Sequence, residues 1–166
     1  MLFIPLSIFG VCQVYAALND ARAMRIPNIT SLFVLVAFAL SVPAAWDGWG
    51  TLSVHLAVGG LFFVAGFAMF AFGWLGGGDA KLMAATALFW TWDDALTYIV
   101  YTTVLGGVLV FTLLVARNFV PVRIATHSLV AHMFREEKKV PYGIALAGGA
   151  LATLPTSHMV LRAFGG

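Results

Sequence analysis

The chain has 166 residues, 61% hydrophobic and only 10% charged, whereas a soluble domain of this size carries about a quarter charged residues. That excludes an ordinary soluble fold and leaves lipid as the surrounding medium. A net charge of +2, scattered along the chain, gives no footing for nucleic acid. The single cysteine, Cys12, excludes an intrachain disulfide and any cysteine-based zinc site.

A helix crosses a bilayer with about 20 apolar residues. In chain order the apolar segments are Leu2–Leu18, Thr30–Trp46, Leu52–Leu75, Lys81–Trp92, Ala95–Ala116 and Ile144–Phe164. No Lys or Arg precedes the first, so it reads as a span rather than a cleaved signal peptide. Cys12 within it reads as a small packing residue. The expected fold is all-α: a polytopic membrane bundle of about six transmembrane helices forming a single domain over 1–166. Gly59-Gly60, Gly66, Gly106-Gly107 and Gly148-Gly149 read as faces where helices approach closely.

The charges orient the bundle. Arg22, Arg25, Lys81, Arg117, Arg123, Arg135, Lys138 and Lys139 fall in the first, third and fifth connections, and only Arg162 falls on the opposite side. By the positive-inside rule those connections are cytoplasmic and both termini lie outside. Asp47, Asp93 and Asp94 then belong to the outer side. The long connection 117–143 carries Ile124, Leu129, Val130, Met133 and Phe134 among polar residues, the pattern of a short interfacial helix.

Apart from Glu136 and Glu137 in the solvated turn of the long connection, two acids remain on the cytoplasmic side, Asp20 after the first segment and Asp79 before the fourth. Asp79 has an ordinary use as a helix cap. Asp20 lies at a helix C-terminus, where the dipole disfavours an anion. The fourth segment is also short: from Asp79 to Trp92 a helix rises about 21 Å, against about 30 Å of hydrocarbon. Gly76-Gly77-Gly78 penalise an earlier helix start, so Asp79 is expected to be drawn into the membrane, where an acid signals function. The same glycines leave room for close backbone approach, which would suit an extended peptide substrate.

Gly76-Gly77-Gly78-Asp79 matches the G-x-G-D pattern of the intramembrane aspartyl peptidases. Asp20 followed by Arg25-Ile26-Pro27-Asn28, the run Gly78-Asp79-Ala80-Lys81-Leu82, and Val140-Pro141-Tyr142-Gly143-Ile144-Ala145 resemble the type IV prepilin leader peptidases in order and side. Within that family the chain looks like the short CpaA/TadV-like branch that serves tight-adherence pili. It lacks the insert with paired CxxC motifs found in longer members, so methyltransferase activity is not implied.

The resemblance implies a peptidase of the bacterial inner membrane, acting in pilus biogenesis and related secretion. It would cut prepilins or pseudopilins at the cytoplasmic face, after a Gly in a short basic leader. Asp20 and Asp79 are the implied catalytic pair, with Gly76, Gly77, Gly78, Lys81, Pro27 and Asn28 as supporting residues. Two facing carboxylates share a proton and hydrolyse an amide without metal or cofactor. An archaeal preflagellin-type peptidase shares both motifs. From other classes, a small ion- or proton-coupled transporter or channel could use the same acids, and a non-catalytic assembly subunit would use neither.

The remaining polar residues have plainer readings. Lys81 reads as an anchor at the lipid surface, and Asn28 as the cap of the second helix with Pro27 fixing the turn. His55, His127, His132 and His158 form no ligand pattern. Thr156-Ser157-His158 has no acid beside it in sequence that would make it a serine-peptidase site.

Overall fold

The computed structural model describes residues 2–119 and 140–164 and is all-helical over them. Helix α1 covers Phe3–Ala23, α2 Asn28–Ser41, α3 Gly48–Ala71, α4 Gly77–Ala87, α5 Trp92–Phe119 and α6 Tyr142–Thr153. A single 3-10 turn, Leu154–Thr156, leads into α7, His158–Phe164. The expected interfacial helix within 117–143 falls mostly outside the described residues.

Four stretches are long and apolar enough to cross a membrane: Phe3–Ala23, Gly48–Ala71, Trp92–Ala116 and Tyr142–Arg162. They are apolar on every side, as helices immersed in lipid are. Phe3, Val64, Phe67 and Phe111 are each more than 60% exposed, which water would penalise and acyl chains do not. Exposed tryptophans stand at both ends, Trp46, Trp49 and Trp92 at one and Trp74 at the other, the places where indoles favour the headgroup region. The chain is a multi-pass membrane protein.

Helices α2 and α4 are shorter, with 14 and 11 residues. The fourth segment starts earlier than the sequence suggests, at Gly77 rather than beyond Asp79, and it ends at Ala87. The glycine penalty is overridden here because α4 is packed on several sides: α2, α3 and α6 all contact it. Tertiary packing supplies what propensity does not. Ala80, Ala84, Ala85 and Ala87 are buried, and their small side chains let the neighbours close in. Gly59 meets the Leu88 side chain, and a Cβ at Gly66 would lie 3.4 Å from the Ala80 Cα.

The glycine pairs divide more finely than the sequence implies. Gly59, Gly106, Gly148 and Gly149 face neighbouring helices, whereas Gly60 and Gly107 have open space where a Cβ would stand. One member of each of the first two pairs faces outward because consecutive helix positions point about 100° apart.

Helix order brings the C-termini of α1, α3 and α5 and the N-termini of α2, α4 and α6 to one end. At the other end Arg162 pairs with Asp47 at 2.9 Å. There the Asp94 carboxylate accepts the Thr91 N–H and hydroxyl, at 3.0 and 2.9 Å. It also accepts the His158 N–H at 3.2 Å, which starts α7.

Candidate active site

Asp20 lies in the last turn of α1 and is buried, 4% exposed. An anion at a helix C-terminus opposes the helix dipole, and the compensation comes from another helix. Oδ2 of Asp20 accepts the backbone N–H of Gly143 at 2.7 Å, in the first turn of α6, where free N–H groups and the positive dipole end favour an anion. Gly143 has to be glycine for this approach. A Cβ there would lie 2.8 Å from Asp20 Oδ2 and 2.8 Å from Ile26 Cδ1.

Asp79 lies in the first turn of α4. Gly76 is the N-cap residue, with extended backbone at φ −69° and ψ 146°, and Asp79, three residues on, reaches back to its backbone N–H through one carboxylate oxygen. Its Oδ2 faces Gly76, where a Cβ would lie 2.8 Å away. Its Oδ1 is buried with no hydrogen-bond partner among the described residues. Since Ala80 packs level with Gly66 and α3 continues to Ala71, Asp79 is recessed about 7 Å of helix rise from the end of its neighbour.

The charge of Asp20 acts on the Asp79 carboxylate across the gap between α1 and α4. Ile26, which the sequence offered only as part of a motif, packs against Gly78 beside Asp79 and against Gly143 beside Asp20. Met24 takes a left-handed conformation, φ 48°, and donates its N–H to the Asp20 carbonyl at 2.9 Å. That turn brings Ile26 back over the site. A Cβ at Gly78 would lie 2.9 Å from the Ile26 carbonyl oxygen. Gly78 is therefore needed for contact with this chain's own backbone, and none of Gly76, Gly77 and Gly78 has positive φ. Gly77 sits against the Phe70 ring, 3.2 Å from where its Cβ would be.

Lys81 and Asn28 are brought together, with the Lys81 Nζ donating to Asn28 Oδ1 at 3.0 Å. This corrects the reading of Asn28 as a cap: Pro27 is the N-cap residue of α2, and no side chain caps that helix. The amide is used instead to tie α2 to α4. Beside the site, α3 and α5 meet only sparsely and leave a cleft of about 700 Å³ whose walls include Met69, Met83, Thr102, Gly107 and Tyr142.

The far end holds no comparable arrangement among the described residues. The Ser157 hydroxyl donates to the Leu154 carbonyl at 2.7 Å. Asp94, which sequence distance hid, does reach His158, but through the backbone N–H. His55 is also structural: Nδ1 lies 3.0 Å from the Leu88 carbonyl at the end of α4.

Compared with known protein families, residues 7–111 match the model of the type IV leader peptidase family. The matched region runs from α1 through most of α5 and includes both acids; α6, which carries Gly143, lies beyond it. Comparison with curated proteins and with solved structures returned no match. The family match covers more than half of the chain, and the chain belongs to the type IV leader peptidase family.

Proposed function

We propose that this member of the type IV leader peptidase family is a single-domain aspartyl endopeptidase of the bacterial inner membrane, which removes the leader from prepilins at the cytoplasmic face. Asp20 and Asp79 are its catalytic pair. The observation that carries this reading is the meeting of two acids from distant chain positions, in one recess at the end of the bundle with the greater positive charge. Each lies at a helix N-terminus, its own in the case of Asp79 and that of α6 in the case of Asp20.

As a catalytic pair the two carboxylates hold one proton between them. The ionised member takes a proton from water as the water attacks the scissile carbonyl; the protonated member donates to the developing oxyanion, and later a proton goes to the leaving amine. The Gly143 N–H orients one oxygen of Asp20, and Oδ1 of Asp79, buried and without a partner among the described residues, is the acceptor that a catalytic water or the substrate would satisfy on entering. Gly76, Gly77 and Gly78 support the pair by letting α4 start against Ile26 and Phe70. Pro27, Asn28 and Lys81 hold α2 and α4 together at the mouth. The cleft between α3 and α5 offers an apolar path for the hydrophobic segment that follows a prepilin leader. With Cys12 its single cysteine, the sequence carries no paired CxxC motif, which favours the CpaA/TadV-like branch.

The test is removal of either acid. Asp20→Asn and Asp79→Asn should each abolish the size shift of a co-expressed prepilin while the protein inserts and accumulates normally. Asn nearly preserves shape but cannot carry the proton. The double variant should be no worse than either single one, because the pair acts as a unit. Asp93→Asn is the control, an acid at the opposite end that should stay active. Processing at the wild-type rate in either dyad variant would overturn the assignment.

A further inference from the structure

Helices α1 and α4 carry the two acids, yet their backbones barely approach each other. Side chains bridge the gap. Gln13 and Thr86 are both 0% exposed, and the Gln13 amide donates to Thr86 Oγ1 at 2.7 Å. One level further from the acids, Phe9 meets Phe89 with ring centroids 4.4 Å apart and Trp90 at 5.9 Å.

The spacing of these bridges matches that of the acids. Gln13 precedes Asp20 by seven residues on α1, and Thr86 follows Asp79 by seven on α4. Seven residues turn a helix through nearly two full turns, leaving an offset of about 20°, so each polar residue lies on the same face as the acid of its helix. The two helices run in opposite directions. The Gln13–Thr86 bond therefore sits one heptad, about 10 Å, deeper in the bundle, in register with the Asp20–Asp79 level. Buried Ala16 and Leu82 lie between the two levels.

We propose that Gln13 and Thr86 form a positioning clamp that sets the register of α1 against α4, and with it the separation of Asp20 and Asp79. The inference rests on the reading of those acids as the catalytic pair. An apolar pair at this level would allow α1 to slide or rotate against α4, because apolar contacts are non-directional. The hydrogen bond fixes both displacements, since its strength falls steeply with distance and angle. A buried amide in a lipid-embedded helix is otherwise an unfavourable choice, and the Oε1 of Gln13 has no partner among the described residues. The contact is thus maintained at the cost of an unmatched acceptor, which a purely stabilising core position would not require.

The experiment uses the full chain in liposomes with a synthetic prepilin-type peptide, a short basic leader ending in Gly ahead of a hydrophobic segment. Thr86→Val and Gln13→Met keep volume and remove the bond. Each should lower kcat about tenfold to a hundredfold with KM within about twofold of wild type, the signature of misplaced reacting groups rather than lost binding. Thr86→Ser, which keeps the hydroxyl, should remain near wild type, and the Gln13→Met/Thr86→Val double variant should be no worse than either single one.

A readout independent of activity comes from Asp20→Cys/Asp79→Cys in a Cys12→Ser background, bridged by a short thiol-specific cross-linker. Adding Thr86→Val should slow the bridging severalfold. Wild-type kcat in Thr86→Val, unchanged cross-linking, or a loss of cleavage matched by an equal loss of folded protein would each overturn the clamp. Asp20→Asn serves as the reference: if it still cleaves, the dyad fails and the clamp falls with it. If it is inactive while Thr86→Val is normal, only the clamp fails.

Discussion

Asp20 shows how a residue in an unfavourable local position is made stable by a distant one. Its own helix offers the wrong dipole end, and α6 supplies the right one through the Gly143 N–H at 2.7 Å. Gly143→Ala tests this directly. The added methyl would lie 2.8 Å from Asp20 Oδ2 and 2.9 Å from Asp20 Cβ, so the carboxylate or the start of α6 has to move. Displacement of a reacting group by about 1 Å costs on the order of a hundredfold in rate. The expected result is therefore a large drop in prepilin processing at near-normal abundance, and unaltered processing would show that Asp20 does not need that N–H. Asp20 and Asp79 stood out in the sequence as candidates because an acid beside an apolar segment is rare and both fell on the positive end. Gly143 was visible only through its motif, since nothing in a sequence says which helix N-terminus a distant acid will meet. Gln13 and Thr86 were not singled out: one polar residue in an apolar helix reads as tolerated until its partner is placed opposite.

At the scale of the element, α4 is the informative case. Its 11 residues span about 16 Å, roughly half the hydrocarbon thickness, yet it needs no greater length because its neighbours shield it. The Asp79 Oδ1 is buried, and the sequence correctly marked this segment as short. It misplaced the helix start by weighing the glycines on propensity alone, when each of Gly76, Gly77 and Gly78 faces a specific neighbour. The same distinction between facing and open glycines yields a prediction on the α5–α6 contact. A side chain at Gly149 would run into Thr102, including its backbone N and Cα at 2.9 and 3.0 Å, and backbone cannot swing aside. Gly149→Val should cost about 1–3 kcal/mol by overpacking and lower the unfolding temperature in detergent. Gly107→Val, on the facing helix but with nothing within 4 Å, should leave it nearly unchanged. Equal effects at the two positions would contradict the packing described here. His55→Leu adds a third test: it removes the donor to the Leu88 carbonyl and should destabilise the end of α4 by about 1–3 kcal/mol, read in the same melt.

For the whole molecule, the question is which end faces the cytoplasm, and two independent features bear on it. The end that gathers Asp20, Asp79 and Gly143 also carries Arg22, Arg25 and Lys81. The connection 120–139, whose flanking helices α5 and α6 meet that same end, adds Arg123, Arg135, Lys138 and Lys139. The opposite end has Arg162, and its guanidinium is held by Asp47 at 2.9 Å, so little free positive charge remains there among the described residues. Positive charge is retained on the cytoplasmic side during insertion, and the proposed orientation follows from it, with the recess and its two acids facing inward. The proposed substrate, a short basic leader ahead of a hydrophobic segment, would have to reach the acids from that side, so the proposed orientation and chemistry make one joint demand. A reporter fused after Gly166 should accordingly be active outside the cytoplasm, and a cysteine probe placed at Glu136 should react with an impermeant reagent only from the cytoplasmic side. Arg162→Glu should leave this pattern unchanged, because the asymmetry does not depend on the lone outer cation. The opposite labelling pattern would put Asp20 and Asp79 where no leader is presented, and the proposed peptidase function would fail even if both acids proved essential.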